Sequence, residues 1–150
     1  MSTPVVGILM GSASDQNTMQ KASDLLEELN IPYEVNVCSA HRNPDRTAEY
    51  AKTAASRGLK VLIAGAGLAA ALPGALAAHT HLPIIGVPIA AGPLNGLDAL
   101  YANVQMPPGV PVATVGIDNA RNAAVLAAQI IALSDDGVRA RLMAYRKKLS

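Results

Sequence analysis

The sequence predicts an α/β fold: a three-layer α/β/α sandwich on a parallel sheet, with a C-terminal helical extension. Two observations carry that prediction. Short, almost wholly apolar runs such as Val5–Met10, Lys60–Ala64 and Ile84–Val87 alternate with segments whose apolar residues recur every three to four positions. Buried parallel strands separated by crossover helices give that rhythm. Glycine, proline and asparagine fall at the junctions, where turns are needed. The 150 residues suit one domain with a sizeable core, and no linker, repeat or low-complexity stretch divides them.

Each element follows in order. Val5–Met10 reads as a buried first strand and Gly11–Asp15 as a turn, with Ser14 or Asp15 available to cap the next helix. That helix carries Met19, Ala22, Leu25, Leu26 and Leu29 on one face and ends at Asn30 and Pro32. Tyr33–Val37 is the second strand, and Asp45–Arg57 a helix stopped by Gly58. Lys60–Ala64 is the third strand, followed by Gly65-Ala66-Gly67 and an alanine-rich helix over about 69–78. Ile84–Val87 is the fourth strand, 97–103 a short helix, and 110–115 holds the fifth strand. Asn119–Leu133 is a strong helix. Gly137–Lys148 is the last, with Val138, Leu142, Tyr145 and Leu149 on the face that packs on its own domain or on a neighbouring subunit.

Composition excludes several classes of function. The net charge is +1, Trp and Phe are absent, and only four Tyr are present. A nucleic-acid interface built on basic stripes and stacking aromatics is therefore not expected. No apolar run approaches the roughly 20 residues of a membrane span, and the N-terminus lacks a signal-peptide pattern. The single cysteine, Cys38, leaves no internal disulfide. Together these point to a cytoplasmic protein. An apolar, alanine-rich chain of low charge also points to oligomerisation.

The loops at the carboxyl edge of such a sheet carry the chemistry. Ser39-Ala40-His41-Arg42 follows the second strand. Arg42 suits a phosphate or carboxylate, and His41 can move a proton near neutral pH. The plainer alternative is a loop histidine beside a surface arginine. Gly11-Ser12-Ala13-Ser14-Asp15 offers backbone N–H groups, hydroxyls and a carboxylate at a helix start, although Ser-x-Ser-Asp is also an ordinary cap. Gly65-Ala66-Gly67-Leu68-Ala69-Ala70 matches the dinucleotide pattern G-x-G-x-x-G/A. Yet no Asp or Glu lies between Gly65 and Leu97, where that pattern needs one, so the glycines point to close backbone approach by a smaller ligand. The Gly- and Pro-rich stretches 90–96 and 105–109 line the mouth of the pocket or contact other subunits. Cys38 reads as a buried thiol. His79 and His81 lack the carboxylate or cysteine that would complete a metal set, so no metal is expected.

Taken together, Met10-Gly11-Ser12-x-Ser14-Asp15, Ser39-Ala40-His41-Arg42-x-Pro44-Asp45, Ala64–Gly67, Leu72-Pro73-Gly74, Pro83–Pro88, Gln105-Met106-Pro107 and Asn122-Ala123-Ala124 resemble the PurE family, catalytic proteins of phosphoribosylaminoimidazole carboxylase in purine biosynthesis. The resemblance spans nearly the whole chain. It implies a flavodoxin-like subunit, a homo-octamer, and N5-carboxyaminoimidazole ribonucleotide mutase activity with no cofactor. On this resemblance Ser12, Asp15 and Arg42 would hold the phosphoribosyl part of a small ribonucleotide substrate. Gly11, Ser14, Ser39, Ala40, Ala66, Gly67 and Leu72 would complete the pocket, and His41 would be the general acid/base. One position departs: the mutase branch usually carries histidine where this chain has Ala71. The related branch, which carboxylates aminoimidazole ribonucleotide with CO2 directly, is the alternative, although Arg42 and Gly65-Ala66-Gly67 match the mutase branch. More remote alternatives are a dinucleotide-dependent oxidoreductase and a non-catalytic nucleotide-binding module.

Overall fold

The computed structural model describes residues 2–150. Five parallel strands form one sheet: β1 (Val6–Met10), β2 (Tyr33–Val37), β3 (Val61–Gly67), β4 (Ile84–Ile89) and β5 (Ala113–Thr114), in the spatial order β2-β1-β3-β4-β5. Six helices connect and follow them: α1 (Gln16–Glu28), α2 (Pro44–Ala54), α3 (Leu72–Ala77), α4 (Leu97–Val104), α5 (Ala120–Ala132) and α6 (Asp136–Lys148). The order is that of flavodoxin-like folds, as the sequence led one to expect.

Strand periodicity sorts the side chains into two cores. Val6, Ile8 and Met10 of β1, with Val61 and Ile63 of β3, face a layer built by α1, α5 and α6. Leu9, Leu62 and Ala64 point the other way, toward α2, α3 and α4. The central strands β1, β3 and β4 are buried almost throughout, so both faces must be covered, which is the rule for parallel sheets. Apolar burial on this scale contributes about 25 cal/mol per Å² removed from water. The C-terminal helix α6 packs on α5, held by Val138, Leu142 and Tyr145 and by a 2.6 Å hydrogen bond from Arg141 Nε to the Leu29 carbonyl.

Four expectations need correction. Gly65–Gly67 does not follow β3 but completes it, paired to Val87, Pro88 and Ile89 of a β4 that also runs two residues further than expected. The alanine-rich helix begins at Leu72 rather than near 69, because Leu68 takes a left-handed φ of 52° and the 68–71 stretch turns instead. The fifth strand shrinks from 110–115 to Ala113–Thr114, the only residues in register with Ile85 and Gly86; Pro111 has no N–H to extend the ladder. Leu149 does not join the buried face of α6 and is 69% exposed.

The edge strand β2 is anchored polar-side out. The Tyr50 hydroxyl of α2 donates to Glu34 Oε2 at 2.6 Å, and Arg57 meets both Glu34 oxygens at 3.2 Å while stacking over the Tyr50 ring at 4.9 Å. Glycine at position 7 makes this possible: a Cβ there would run into the Tyr50 hydroxyl and sit 2.9 Å from Leu62 Cδ2. Burial pushes the Glu34 carboxyl upward, but hydrogen bonds from Arg57 and Tyr50 and the Arg57 charge outweigh it and hold the group below its ordinary 4.5. Burial and the adjacent Glu34 push the Tyr50 phenol up.

A depressed carboxyl pKa stabilises the fold above its unfolded-state value, and that stability is lost as pH falls through the folded-state value. Glu34→Gln should therefore lower unfolding free energy by about 1 kcal/mol at pH 7, the upper end for partly exposed pairs. The gap to wild type should close as pH drops below 4.5. Urea denaturation at pH 7 and at lower pH checks this, and a gap that does not change with pH would contradict it.

Candidate active site

Strand order reverses between β1 and β3: from β1 the chain crosses to β2 on one side and then returns to β3 on the other. The loops leaving the carboxyl ends of these strands part there, and a cleft opens, the usual ligand position in open α/β sheets. It has a volume of about 470 Å³. Gly11, Ser12, Ser14 and Asp15 enter from the end of β1, and Ser39, Ala40, His41 and Arg42 from the end of β2. Ala66, Gly67 and Leu72 border it on the β3 side, together with Leu68–Ala71, and Ala91 borders it beyond β4. Every residue expected to hold the substrate or move its proton thus borders one cavity.

The β2–α2 loop is fixed from below. Asn43 caps α2, its Oδ1 accepting from the Arg46 N–H at 3.3 Å, and Pro44 occupies the first turn, where its missing N–H costs nothing. The buried Thr47 hydroxyl donates toward the Asn43 carbonyl at 3.1 Å and lies 3.0 Å from Cys38 Sγ. Cys38 is therefore a buried partner of the loop base. Ser39 Oγ accepts from the Arg42 backbone N–H at 3.1 Å and from its Nε at 3.4 Å. His41 and Arg42 are exposed and line the cleft. Ala40 packs against the α2–α4 core, and its small side chain leaves the opening clear.

At the β1 end the capping differs from expectation. Asp15 stands at the N-cap of α1 but without a side-chain bond; the capping oxygen comes from Ser12, whose Oγ accepts from the Ser14 N–H at 3.3 Å and lies 2.9 Å from Ser14 Oγ, over a single 3-10 turn, Ala13–Asp15. The Asp15 carboxylate makes no cap bond and stays available to the cleft. Burial raises its pKa; the backbone near Ser12 lowers it and the negative charge of Asp118 raises it further, for a net upward shift.

The floor is made by small residues. A Cβ on Gly67 would sit 3.0 Å from Ala91 Cβ and 3.2 Å from the Ile89 carbonyl oxygen. Because one of those contacts is backbone, only glycine lets the β3 and β4 ends close to this degree. The G-x-G-x-x-A pattern is thus spent on strand pairing and does not form a phosphate-cradling turn before a helix, which disfavours a dinucleotide.

The other sequence candidates lie elsewhere. His79 and His81 are exposed and line a larger hollow of about 730 Å³ at the opposite, amino-terminal edge, where Gly109 also lies. They are its only ionisable side chains, with no arginine, lysine or carboxylate. Among the described residues no group of three His, Cys, Asp or Glu side chains could hold a metal ion.

A family model described as AIR carboxylase matches residues 5–150. The chain belongs to the AIR carboxylase family. It is 53% identical to an N5-carboxyaminoimidazole ribonucleotide mutase of Thermotoga maritima, over 97% of this chain and 85% of that protein. It is 57% identical to one of Bacillus subtilis, over 93% and 87%. A Schizosaccharomyces pombe phosphoribosylaminoimidazole carboxylase is 53% identical over 97% of this chain, which spans 26% of that longer protein. The crystal structure of Treponema denticola PurE superposes with a TM-score of 0.88 at 31% identity, covering 97% of this chain and 90% of that one.

Within this AIR carboxylase frame Ala71 stands out. It lines the cleft just before α3, and its methyl group has no proton to exchange with substrate. Among the cleft-lining residues, His41 is then the one histidine. Reasoning from the sequence did not single out Ala91 or Leu68 as cleft residues. Ala91 had only its place in a Gly- and Pro-rich loop to mark it. Leu68 had only its place in the Gly65–Ala70 stretch, and nothing local marks its left-handed φ of 52°.

Proposed function

We propose that the protein isomerises N5-carboxyaminoimidazole ribonucleotide to 4-carboxyaminoimidazole ribonucleotide in purine biosynthesis. The observation that carries this reading is the convergence of His41, Arg42 and the Ser12–Asp15 turn on one cleft, in a chain of the AIR carboxylase family. The carboxylase reading, with CO2 as co-substrate, is less favoured: relatives at 53% and 57% identity that match this chain over most of their own length bear the mutase name.

In this reading Arg42 and the Ser12 and Ser14 hydroxyls hold the phosphate, with Asp15 accepting from ribose hydroxyls. Charge-assisted hydrogen bonds of this kind are roughly twice as strong as neutral ones. The N5–carboxyl bond breaks, CO2 is freed, and N5 takes a proton from the His41 imidazolium. Ring C4 then attacks the CO2, and the neutral imidazole removes the C4 proton. The proton lost from C4 balances the proton gained by N5, and His41 returns to its starting state. One imidazole, able to give a proton and take one back, suffices for both transfers. A metal is not needed for these steps, because the carbon electrophile is CO2 itself.

The cleft is open in the single chain, whereas freed CO2 must be kept beside C4. We propose that other copies close it in a homo-octamer. Support comes from α4 and the loop before it, where Leu94, Tyr101 and Val104 are each more than half exposed, a concentration of apolar surface that marks contact sites. Among the described residues no helix is long and apolar enough to cross a membrane. We assign the protein to the cytoplasm, where a lone thiol such as Cys38 stays reduced.

The test compares N5-carboxyaminoimidazole ribonucleotide with aminoimidazole ribonucleotide plus bicarbonate. Fast conversion of the first and slow conversion of the second is expected; the reverse would favour the carboxylase. His41→Asn should bind ribonucleotide normally yet lose at least about 100-fold in turnover, the scale of general acid–base catalysis. Arg42→Ala should instead weaken binding, by about 1.5–3 kcal/mol for a charged hydrogen bond. Near-normal turnover in the first variant, or unchanged affinity in the second, would remove the assigned role. Sedimentation equilibrium should give an assembly mass; a monomer at micromolar concentration would refute the octamer.

A further inference from the structure

Asp118 does not line the cleft, yet it is built into its far wall. It sits in the loop between β5 and α5, two residues before that helix begins. Its φ of 61° lies in the left-handed region, which Asp tolerates better than most side chains. Two bonds run from it to the end of β4. Its backbone N–H donates to the Pro88 carbonyl at 2.8 Å, and its Oδ1 accepts from the Ala90 N–H at 2.9 Å, bridging 28 residues of sequence. The next residue, Ala91, is the cleft wall, and its Cβ is what a Cβ on Gly67 would approach to 3.0 Å. The Ala90 N–H lies just past the last strand residue, Ile89, so the sheet does not supply its acceptor. Asp118 also lies close enough to the cleft for its charge to act on Asp15, after burial and the Ser12 backbone in order of effect.

We propose that Asp118 is a positioning residue of the active site: its carboxylate, by holding the Ala90 N–H, sets Ala91 against Gly67 and so fixes the width of the cleft where the substrate ring must enter. The effect is carried entirely through Ala90 and Ala91. A wall left loose must be ordered when substrate binds, and that ordering weakens binding, so a wall held by one long-range bond is a sensitive part of the site. The substrate part of this inference rests on the mutase reading; the wall part does not.

Three variants separate the contributions. Asp118→Asn keeps an Oδ1 acceptor and tolerates the left-handed backbone. Asp118→Gly keeps the backbone freedom and removes the acceptor. Asp118→Ala removes both. Hydrogen exchange of the 89–92 segment in ligand-free protein reads the wall. Steady-state kinetics with N5-carboxyaminoimidazole ribonucleotide reads the substrate.

The Gly and Ala variants should exchange faster at Ala90 and show a KM raised about tenfold, the size of one lost hydrogen bond, with kcat within about threefold. The Asn variant should match wild type in both. Unchanged exchange in the Gly variant would overturn the clamp, and so would an Asn variant as impaired as Ala. Faster exchange with unchanged KM would overturn the substrate role. A wild-type enzyme that fails to turn the ribonucleotide over would overturn the mutase reading and the substrate role together, while the exchange result still decides the clamp.

Discussion

The site depends on the reversal of strand order at β1. Crossovers between parallel strands are right-handed. A chain that moves one way from β1 to β2 and the other way from β2 to β3 must therefore place the first crossover helix on one face of the sheet and the second on the opposite face. The two cores show this: α1 shares one with α5 and α6, and α2 shares the other with α3 and α4. The loops leaving β1 and β3 part to reach those opposite faces. The gap between them is the cleft, and the β2–α2 loop hangs over it.

Given that gap, small residues set its shape and capping residues set its rigidity. Gly67 and Ala91 let the ends of β3 and β4 come together. The 39–43 loop is short, and it is tied to α2 through Asn43 and Thr47, so little conformational entropy remains to be lost when a ligand meets His41 and Arg42. In the cleft the ionisation of Asp15 is resisted, chiefly by its burial. Together these features make a site that is polar on the β1 and β2 side and apolar along the alanines of 69–71. Such a division suits a ligand with a charged end and a flat, less polar ring.

Much of this was legible from local pattern. The strand runs, the helix faces of α1 and α5, and the loop carrying His41 and Arg42 were readable because periodicity and chain order are properties of neighbours in sequence. Every residue named for the site does border the cleft. What escaped was of another kind. Gly65–Gly67 reads as a turn by composition, but β4 pairs with it and makes it strand. Ser12, rather than Ser14 or Asp15, supplies the capping oxygen because a 3-10 turn begins at Ala13, three residues before α1. Leu149 is apolar at helical spacing yet sits at the C-cap of α6, mostly exposed. In each case the deciding partner is remote or the boundary depends on one.

Sequence alone was enough to specify the α/β alternation, which face of each helix is apolar, and the chemical identity of the residues at the strand ends, since these depend on side-chain type and spacing. It could not specify how closely the ends of β3 and β4 approach, that Ala91 meets Gly67, or that Asp118 reaches back 28 residues to Ala90. Those contacts join segments far apart in the chain, and they exist only once the sheet has brought the segments together, because a hydrogen bond or a van der Waals contact is decided by distances of a few tenths of an ångström. That is the level at which a fold with a histidine and an arginine at a strand end becomes a cleft of defined width.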